Sequence, residues 1–260
     1  MAELTPLIAG NWKMNCGTQA GRDLARAIRE GTAGLRVGLV VAPPFTLLST
    51  IVDEMRDSGV EVAAQNVHER DEGAFTGEIS FPMLKYTGCQ WAIIGHSERR
   101  QYFAETDERV GLKTKAALKH SLRPIVCVGE TLDQRKAGQT MDVVRRQIDA
   151  FKDSLAERPG FGVIAYEPVW AIGTGVVATT DQAQEVHAAI REHLRATSEE
   201  LSQRTRLLYG GSVKADNAAE LLACPDVDGA LVGGASLDPE GFLSIARAAP
   251  QPASVRPPPP

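Results

Sequence analysis

Three features of the sequence predict a (β/α)8 barrel in one domain. Eight short apolar runs recur along the chain, stretches with helical hydrophobic spacing separate them, and about 250 residues carry the whole series. The runs cover residues 7–9, 37–42, 60–64, 91–94, 125–128, 163–166, 207–209 and 230–232. None alternates apolar with polar residues, which suits parallel strands buried on both faces. A doubly wound open sheet uses the same right-handed βαβ units, so spacing alone leaves the two architectures open. The residues that follow each run have to decide between them.

In a barrel the active site lies at the C-terminal ends of the strands. The first run leads into Asn11-Trp12-Lys13, and the fourth into Gly95-His96-Ser97-Glu98. Between the fifth and sixth runs, Met141, Val144, Ile148, Phe151 and Leu155 fall on one helical face. The sixth run leads into Glu167-Pro168, and Ala183, Val186, Ile190 and Leu194 then mark another amphipathic helix. Gly210-Gly211-Ser212 follows the seventh run and Gly233-Gly234 the eighth. A carboxylate, an imidazole, a cation and glycine-rich turns therefore converge on one rim. The domain is expected to span residues 1–249, and residues 250–260, crowded with prolines and lacking hydrophobic periodicity, read as a disordered tail.

Composition excludes several classes of function. With 28 Lys and Arg against 33 Asp and Glu, the formal net charge of −5 gives no broad basic field for nucleic acid or anionic lipid. The apolar runs are far too short to span a bilayer, and the first residues lack the pattern of a signal peptide. Cys16, Cys89, Cys127 and Cys224 form no C-x-x-C pair, and the histidines form no H-E-x-x-H motif, so no metal site is expected. A cytoplasmic location is expected. The G-x-G-x-x-A match at Gly173 stands six residues beyond its strand, too far for a dinucleotide fingerprint. Gly210-Gly211-Ser212-Val213-Lys214 lacks the last glycine of a nucleophile elbow, and no P-loop pattern occurs.

Glu167 ends a strand, and Pro168 biases its backbone toward an extended conformation. Taken alone it is explained equally well as a base or as the partner of a nearby cation. The apolar, glycine-containing segment of residues 168–175 shifts the balance, because a water-excluding lid beside a carboxylate has that composition. His96 precedes what resembles a helix opening at Ser97-Glu98, whose dipole lowers an imidazole pKa and favours the neutral ring. A neutral ring donates its N–H to a carbonyl oxygen. His68, His120, His187 and His193 lack that context and read as structural or solvated. Lys13 suits a dianionic substrate or a developing oxyanion. The two glycine pairs offer backbone N–H groups to a phosphate.

These residues resemble one family closely, triosephosphate isomerase. Gly10-Asn11-Trp12-Lys13-Met14-Asn15, Ala64-Gln65-Asn66-Val67, Gly73-Ala74-Phe75-Thr76-Gly77-Glu78, Gly95-His96-Ser97-Glu98-Arg99-Arg100, Tyr166-Glu167-Pro168-Val169-Trp170-Ala171-Ile172-Gly173-Thr174-Gly175, Tyr209-Gly210-Gly211-Ser212-Val213 and Val232-Gly233-Gly234-Ala235 carry the likeness in order. The resemblance implies interconversion of dihydroxyacetone phosphate and glyceraldehyde 3-phosphate through an enediol, in glycolysis and gluconeogenesis. By that likeness Glu167 removes the proton alpha to the carbonyl, and neutral His96 polarises the carbonyl oxygen. Asn11 and Lys13 support substrate and transition-state charge, and Glu98 matches an active-site position near Lys13 with a supporting role. Gly173, Ser212, Gly233 and Gly234 donate N–H groups to the phosphate.

No metal or organic cofactor is called for. The likeness further implies a homodimer, in which the long loop that opens at Gln65 and closes at Glu78 inserts its tip, near Thr76, beside the first and fourth loops of a second subunit. Two features depart from the family pattern: Val176 stands where a lysine is common, and the proline-rich tail has no counterpart. Cys127 matches a family cysteine whose expected role is buried packing. Two rival functions remain at this stage. One is a different reaction on a larger phosphorylated sugar, which a bulky closing lid disfavours. The other is a non-catalytic barrel paralogue acting as a phosphometabolite sensor or scaffold, against which the intact Glu167, His96 and Lys13 speak.

Overall fold

The computed structural model describes residues 4–171 and 178–251. The eight apolar runs become β1 (Leu7–Asn11), β2 (Gly38–Ala42), β3 (Val60–Ala64), β4 (Trp91–Ile94), β5 (Arg123–Val128), β6 (Val163–Tyr166), β7 (Arg206–Tyr209) and β8 (Gly229–Val232). Each strand pairs in parallel with the next, and β8 returns to β1 with Leu7 opposite Gly229 and Gly10 opposite Val232. That last pairing closes a barrel and excludes the open sheet.

Closure also explains why the strands lack alternation. Leu7, Ala9, Val40, Ala42, Ile93, Ile125, Val163, Ala165, Leu208 and Leu231 point inward and pack on one another. Their neighbours Ile8, Val41, Val62, Ile94, Val126, Ile164 and Val232 point outward into a second core shared with the helices. Both faces are therefore dry, and each buried aliphatic side chain contributes about 1.5–3 kcal/mol.

The surrounding helices are α1 (Thr18–Glu30), α2 (Leu48–Glu54), α3 (Phe81–Thr87), α4 (Ser97–Phe103), α5 (Asp107–Lys119) and α6 (Leu132–Lys136) in the first part of the chain. They are followed by α7 (Thr140–Asp149), α8 (Lys152–Ala156), α9 (Thr180–Arg195), α10 (Glu199–Arg204), α11 (Ala218–Leu222) and α12 (Pro239–Ala248). The helix expected from Ala183, Val186, Ile190 and Leu194 is α9, and those four residues form its buried face. Thr179 starts it with a capping box closed by Gln182.

One helix differs from the sequence expectation. The face from Met141 to Leu155 reads as continuous, but the chain breaks between α7 and α8, with Phe151 at φ −140° and its N–H donating to Ile148 O. The cause lies on α5, where Gly111 lies so close to the Ala150 carbonyl that a Cβ would sit 2.3 Å from the oxygen. Fitting α5 against this corner keeps Phe151 and Leu155 buried without a straight helix.

Among the described residues no helix is long and apolar enough to cross a membrane. All four cysteines are free thiols. The lid residues 172–177, which include Gly173 and Val176, and the tail from Pro252 lie outside the described residues.

Candidate active site

Glu167 leaves the end of β6 with its backbone still in the ladder, its N–H donating to Val128 O at 2.7 Å. The residue is only 2% exposed. Its Oε1 stands 3.0 Å from His96 Nε2, and its Oε2 accepts the Ser97 N–H at 2.8 Å. Gly210 makes room for it, since a Cβ there would lie 2.9 Å from Glu167 Cγ. Burial raises the carboxyl pKa, but His96, the Ser97 amide and Lys13 outweigh it and hold the group below its ordinary value. The carboxylate is thus ionised in a nearly dry setting.

His96 caps α4: its Nδ1 accepts the N–H of Glu98 at 3.2 Å. An accepting Nδ1 carries no proton, so the neutral ring holds its proton on Nε2, toward Glu167. The helix opening expected at Ser97-Glu98 is therefore present. The expected downward pKa shift is not. Burial does oppose charge on the ring, but the Glu167 carboxylate outweighs it and carries the pKa above its ordinary value. Sequence reasoning saw the helix start and missed the carboxylate, because β6 brings it to β4 only when the barrel closes.

Lys13 adopts a left-handed backbone, φ 52°. Its N–H donates to Asn11 Oδ1 at 3.0 Å, while its carbonyl accepts from Gln65 Nε2 at 2.7 Å, an amide that also donates to Ala42 O. Those three bonds hold a conformation that costs a non-glycine residue roughly 1–2 kcal/mol. Lys13 Nζ then meets Glu98 Oε1 at 2.6 Å. Asn11 itself is the last residue of β1 and is buried.

A cavity of about 450 Å3 opens here. Asn11, Lys13, His96 and Glu167 line it together with Ser212, Gly233 and Gly234, so seven of the expected residues share one space. Glu98 does not line the cavity and reaches it through Lys13. Gly234 opens a short helical turn, Gly234–Leu237, and the first amides of such a turn have no acceptor within it. The other four histidines are placed as expected: His187 is fully buried with Nδ1 2.7 Å from Ala183 O, His68 is buried, and His120 and His193 meet Asp71 and Asp149. Cys127 is buried in the barrel, where burial and then Glu167 push its thiol pKa well up.

Sequence reasoning missed three contributors. Leu231 and Lys214 line the cavity, and the second of these stands two residues after Ser212. Glu130 is wholly buried just after β5 and accepts from the Tyr166 hydroxyl at 3.1 Å and from Trp170 Nε1 at 2.9 Å. Arg135 pairs with the same carboxylate and lies over the Trp170 ring, so Glu130 anchors Trp170 within the segment expected to form a lid. The position of Glu130 just after the fifth apolar run is the signal in the sequence that marks it.

A closed parallel barrel whose strand ends carry a buried carboxylate, an imidazole and a lysine beside glycine turns defines a (β/α)8-barrel enzyme of acid–base chemistry. Among the described residues no cluster of His, Cys, Asp and Glu is placed to hold a metal ion. The family model described as triosephosphate isomerase matches residues 6–249. Relatives of that name include one from Moorella thermoacetica, 52% identical with 92% of this chain and 97% of the relative covered. Those from Herminiimonas arsenicoxydans and Delftia acidovorans are 50% and 51% identical, each with 94% of this chain and 98% of the relative covered. The chain belongs to the triosephosphate isomerase family.

Proposed function

We propose that the chain interconverts dihydroxyacetone phosphate and glyceraldehyde 3-phosphate, with Glu167 as the base that moves the proton between the two carbons. The observation that carries this assignment is the pairing of a buried, ionised Glu167 with His96 Nε2 at 3.0 Å in the cavity that Lys13 also lines. A proton alpha to a carbonyl is weakly acidic, so its removal needs a positioned carboxylate and a donor at the oxygen. Glu167 exchanges its hold on the Ser97 amide for the substrate carbon and takes the proton. The electron pair of that C–H bond moves into the carbon–carbon bond, and the carbonyl oxygen takes on charge. His96 Nε2–H, released from Glu167, donates to that oxygen, and Lys13 offsets the charge. His96 gives its Nε2 proton to the charged oxygen and takes the proton of the neighbouring hydroxyl, and Glu167 returns its own proton to the adjacent carbon, so the carbonyl forms on the carbon that lost its hydrogen.

Asn11 positions Lys13 through its backbone N–H, and Glu98 positions the ammonium from the far side. Ser212, Gly233, Gly234 and, from the lid, Gly173 hold the phosphate. No metal or organic cofactor enters these steps. The lid excludes water, which strengthens each interaction and prevents loss of phosphate from the intermediate.

The working form is a homodimer in the cytoplasm. Residues 72–78 form a continuous exposed stretch, and the base of their loop is tied down by Asp71 to Lys119 and by Glu69 to Arg109. Met14 and Tyr86, each 95% exposed, and Phe75, Tyr102 and Phe103 are large apolar side chains open to solvent that a second subunit would cover. Thr76 would then reach the partner's first and fourth loops. The barrel is read as one domain over residues 1–249, with 250–260 as an appended tail.

Initial-rate isomerisation of glyceraldehyde 3-phosphate, coupled to reduction of the ketone formed, tests the assignment. The parent turns over, and Glu167→Gln loses at least about 10²-fold in kcat. A folded variant with near-parental turnover would remove Glu167 from the role of base.

A further inference from the structure

We propose that Lys214 is a substrate-steering residue, the cation that balances the charge of the cavity against a dianionic phosphate; the proposal rests on the isomerase reading above. The charges of the site support it. Among the described residues, the titratable ones that line the cavity are Lys13, His96, Glu167 and Lys214. Glu167 brings one negative charge, and the positive charge of Lys13 is already met by Glu98 at 2.6 Å. With His96 neutral, as its Nδ1 accepting the Glu98 N–H requires, these groups sum without Lys214 to one negative charge, which repels an approaching dianion. With Lys214 they sum to zero.

The lysine is placed for that role. It follows the Gly210-Gly211-Ser212-Val213 turn, on the glycine-turn side of the cavity. Its backbone is fixed: the N–H donates to Asn217 Oδ1 at 2.8 Å, and its carbonyl accepts the N–H of Ala218 at 3.0 Å. Asn217 Nδ2 also donates to Ser212 O at 3.1 Å, so one side chain ties the lysine and the expected phosphate donor together. The residue is exposed, and among the described residues its ammonium forms no ion pair. A solvated, uncommitted charge at the mouth of a cavity acts at a distance on an incoming ion and is screened by salt. Lys13, by contrast, is held against the reacting groups.

The two lysines therefore divide the work. Lys13 meets charge that develops at the oxygen, and Lys214 raises the encounter rate and ground-state affinity for the phosphate end. Removing Lys214 should raise KM more than it lowers kcat.

The test compares the parent with Lys214→Gln, Lys214→Glu and Lys214→Arg at low and high ionic strength, with inorganic phosphate as a competitive inhibitor. At about 10 mM salt, where the screening length is about 30 Å, kcat/KM of Lys214→Gln should fall roughly threefold to tenfold and that of Lys214→Glu further. The phosphate inhibition constant should rise in parallel, and Lys214→Arg should restore both. At about 1 M salt, with screening within about 3 Å, the variants should converge on the parent. Equal values for parent and variants at low salt would overturn the proposal. So would losses of the same size at both salt levels, which would assign the residue to shape. A parent that binds phosphate but does not isomerise triose phosphates would overturn the isomerase reading instead, and phosphate affinity would still test the lysine.

Discussion

Gly210→Ala probes how closely the site is built around its base. A Cβ at this position would lie 2.9 Å from Glu167 Cγ and 3.1 Å from the Tyr166 carbonyl oxygen. Ordinary carbon–carbon contact begins near 3.5 Å, so Glu167 has to retreat by roughly half an ångström. The backbone has little freedom to yield, because Gly210 N–H donates to Tyr166 O at 2.7 Å and Glu167 N–H to Val128 O at 2.7 Å. The side chain therefore absorbs the shift. A misplacement of about 1 Å costs on the order of 10²-fold in rate, so half of that predicts a loss of roughly tenfold in kcat. The overpacking should also lower stability by about 1–3 kcal/mol. The assay is steady-state isomerisation together with inhibition by inorganic phosphate and a thermal melt. Phosphate inhibition should persist, since Ser212, Gly233 and Gly234 lie outside the clash. Full kcat in a variant that is destabilised but folded would refute the claim that Gly210 sets the position of the base.

Four further outcomes are expected. In Glu167→Gln the carboxylate that raises the His96 pKa is gone, so burial dominates and the imidazole should titrate at lower pH than in the parent, as read by NMR of the ring; an unchanged or higher value would contradict the pairing. The Glu167 pKa is depressed on folding, so its contribution to stability is present above the unfolded value of about 4.3 and is lost as pH falls through the folded one. The acid limb of Tm against pH should accordingly be shallower in Glu167→Gln. Cys89, whose pKa burial pushes up to about 12, and Cys127 should resist thiol reagents in the native state while the half-buried Cys224 reacts, as mass spectrometry of labelled protein would show. Sedimentation at micromolar concentration should give a dimer, and a monomer at all concentrations would remove the role assigned to Thr76 and its loop.

The strands were legible because both of their faces are buried, so unbroken apolar runs mark them. Closure was not, because the pairing of Leu7 with Gly229 joins the two ends of the domain and leaves no local trace. Glu167, His96, Lys13 and the glycine turns were legible as chemistry-bearing residues at strand ends. Their mutual effects were not. The His96 pKa rises because of a carboxylate on a different strand, and the left-handed backbone of Lys13 depends on Gln65, from the loop after β3. The corner at Phe151 depends in the same way on Gly111 of another helix. Glu130 was passed over because its partners, Tyr166 and Trp170, come from the next βα unit.

The central claim is that Glu167 carries a proton between two carbons, and isomerisation in heavy water tests it most directly. Between removal and return, the proton held on Glu167 can exchange with solvent. Glyceraldehyde 3-phosphate formed from dihydroxyacetone phosphate in D2O should therefore carry deuterium at C2. Glu167→Gln should reduce that incorporation in step with turnover, by about 10²-fold or more. Undiminished incorporation in Glu167→Gln would place the base elsewhere and contradict the account.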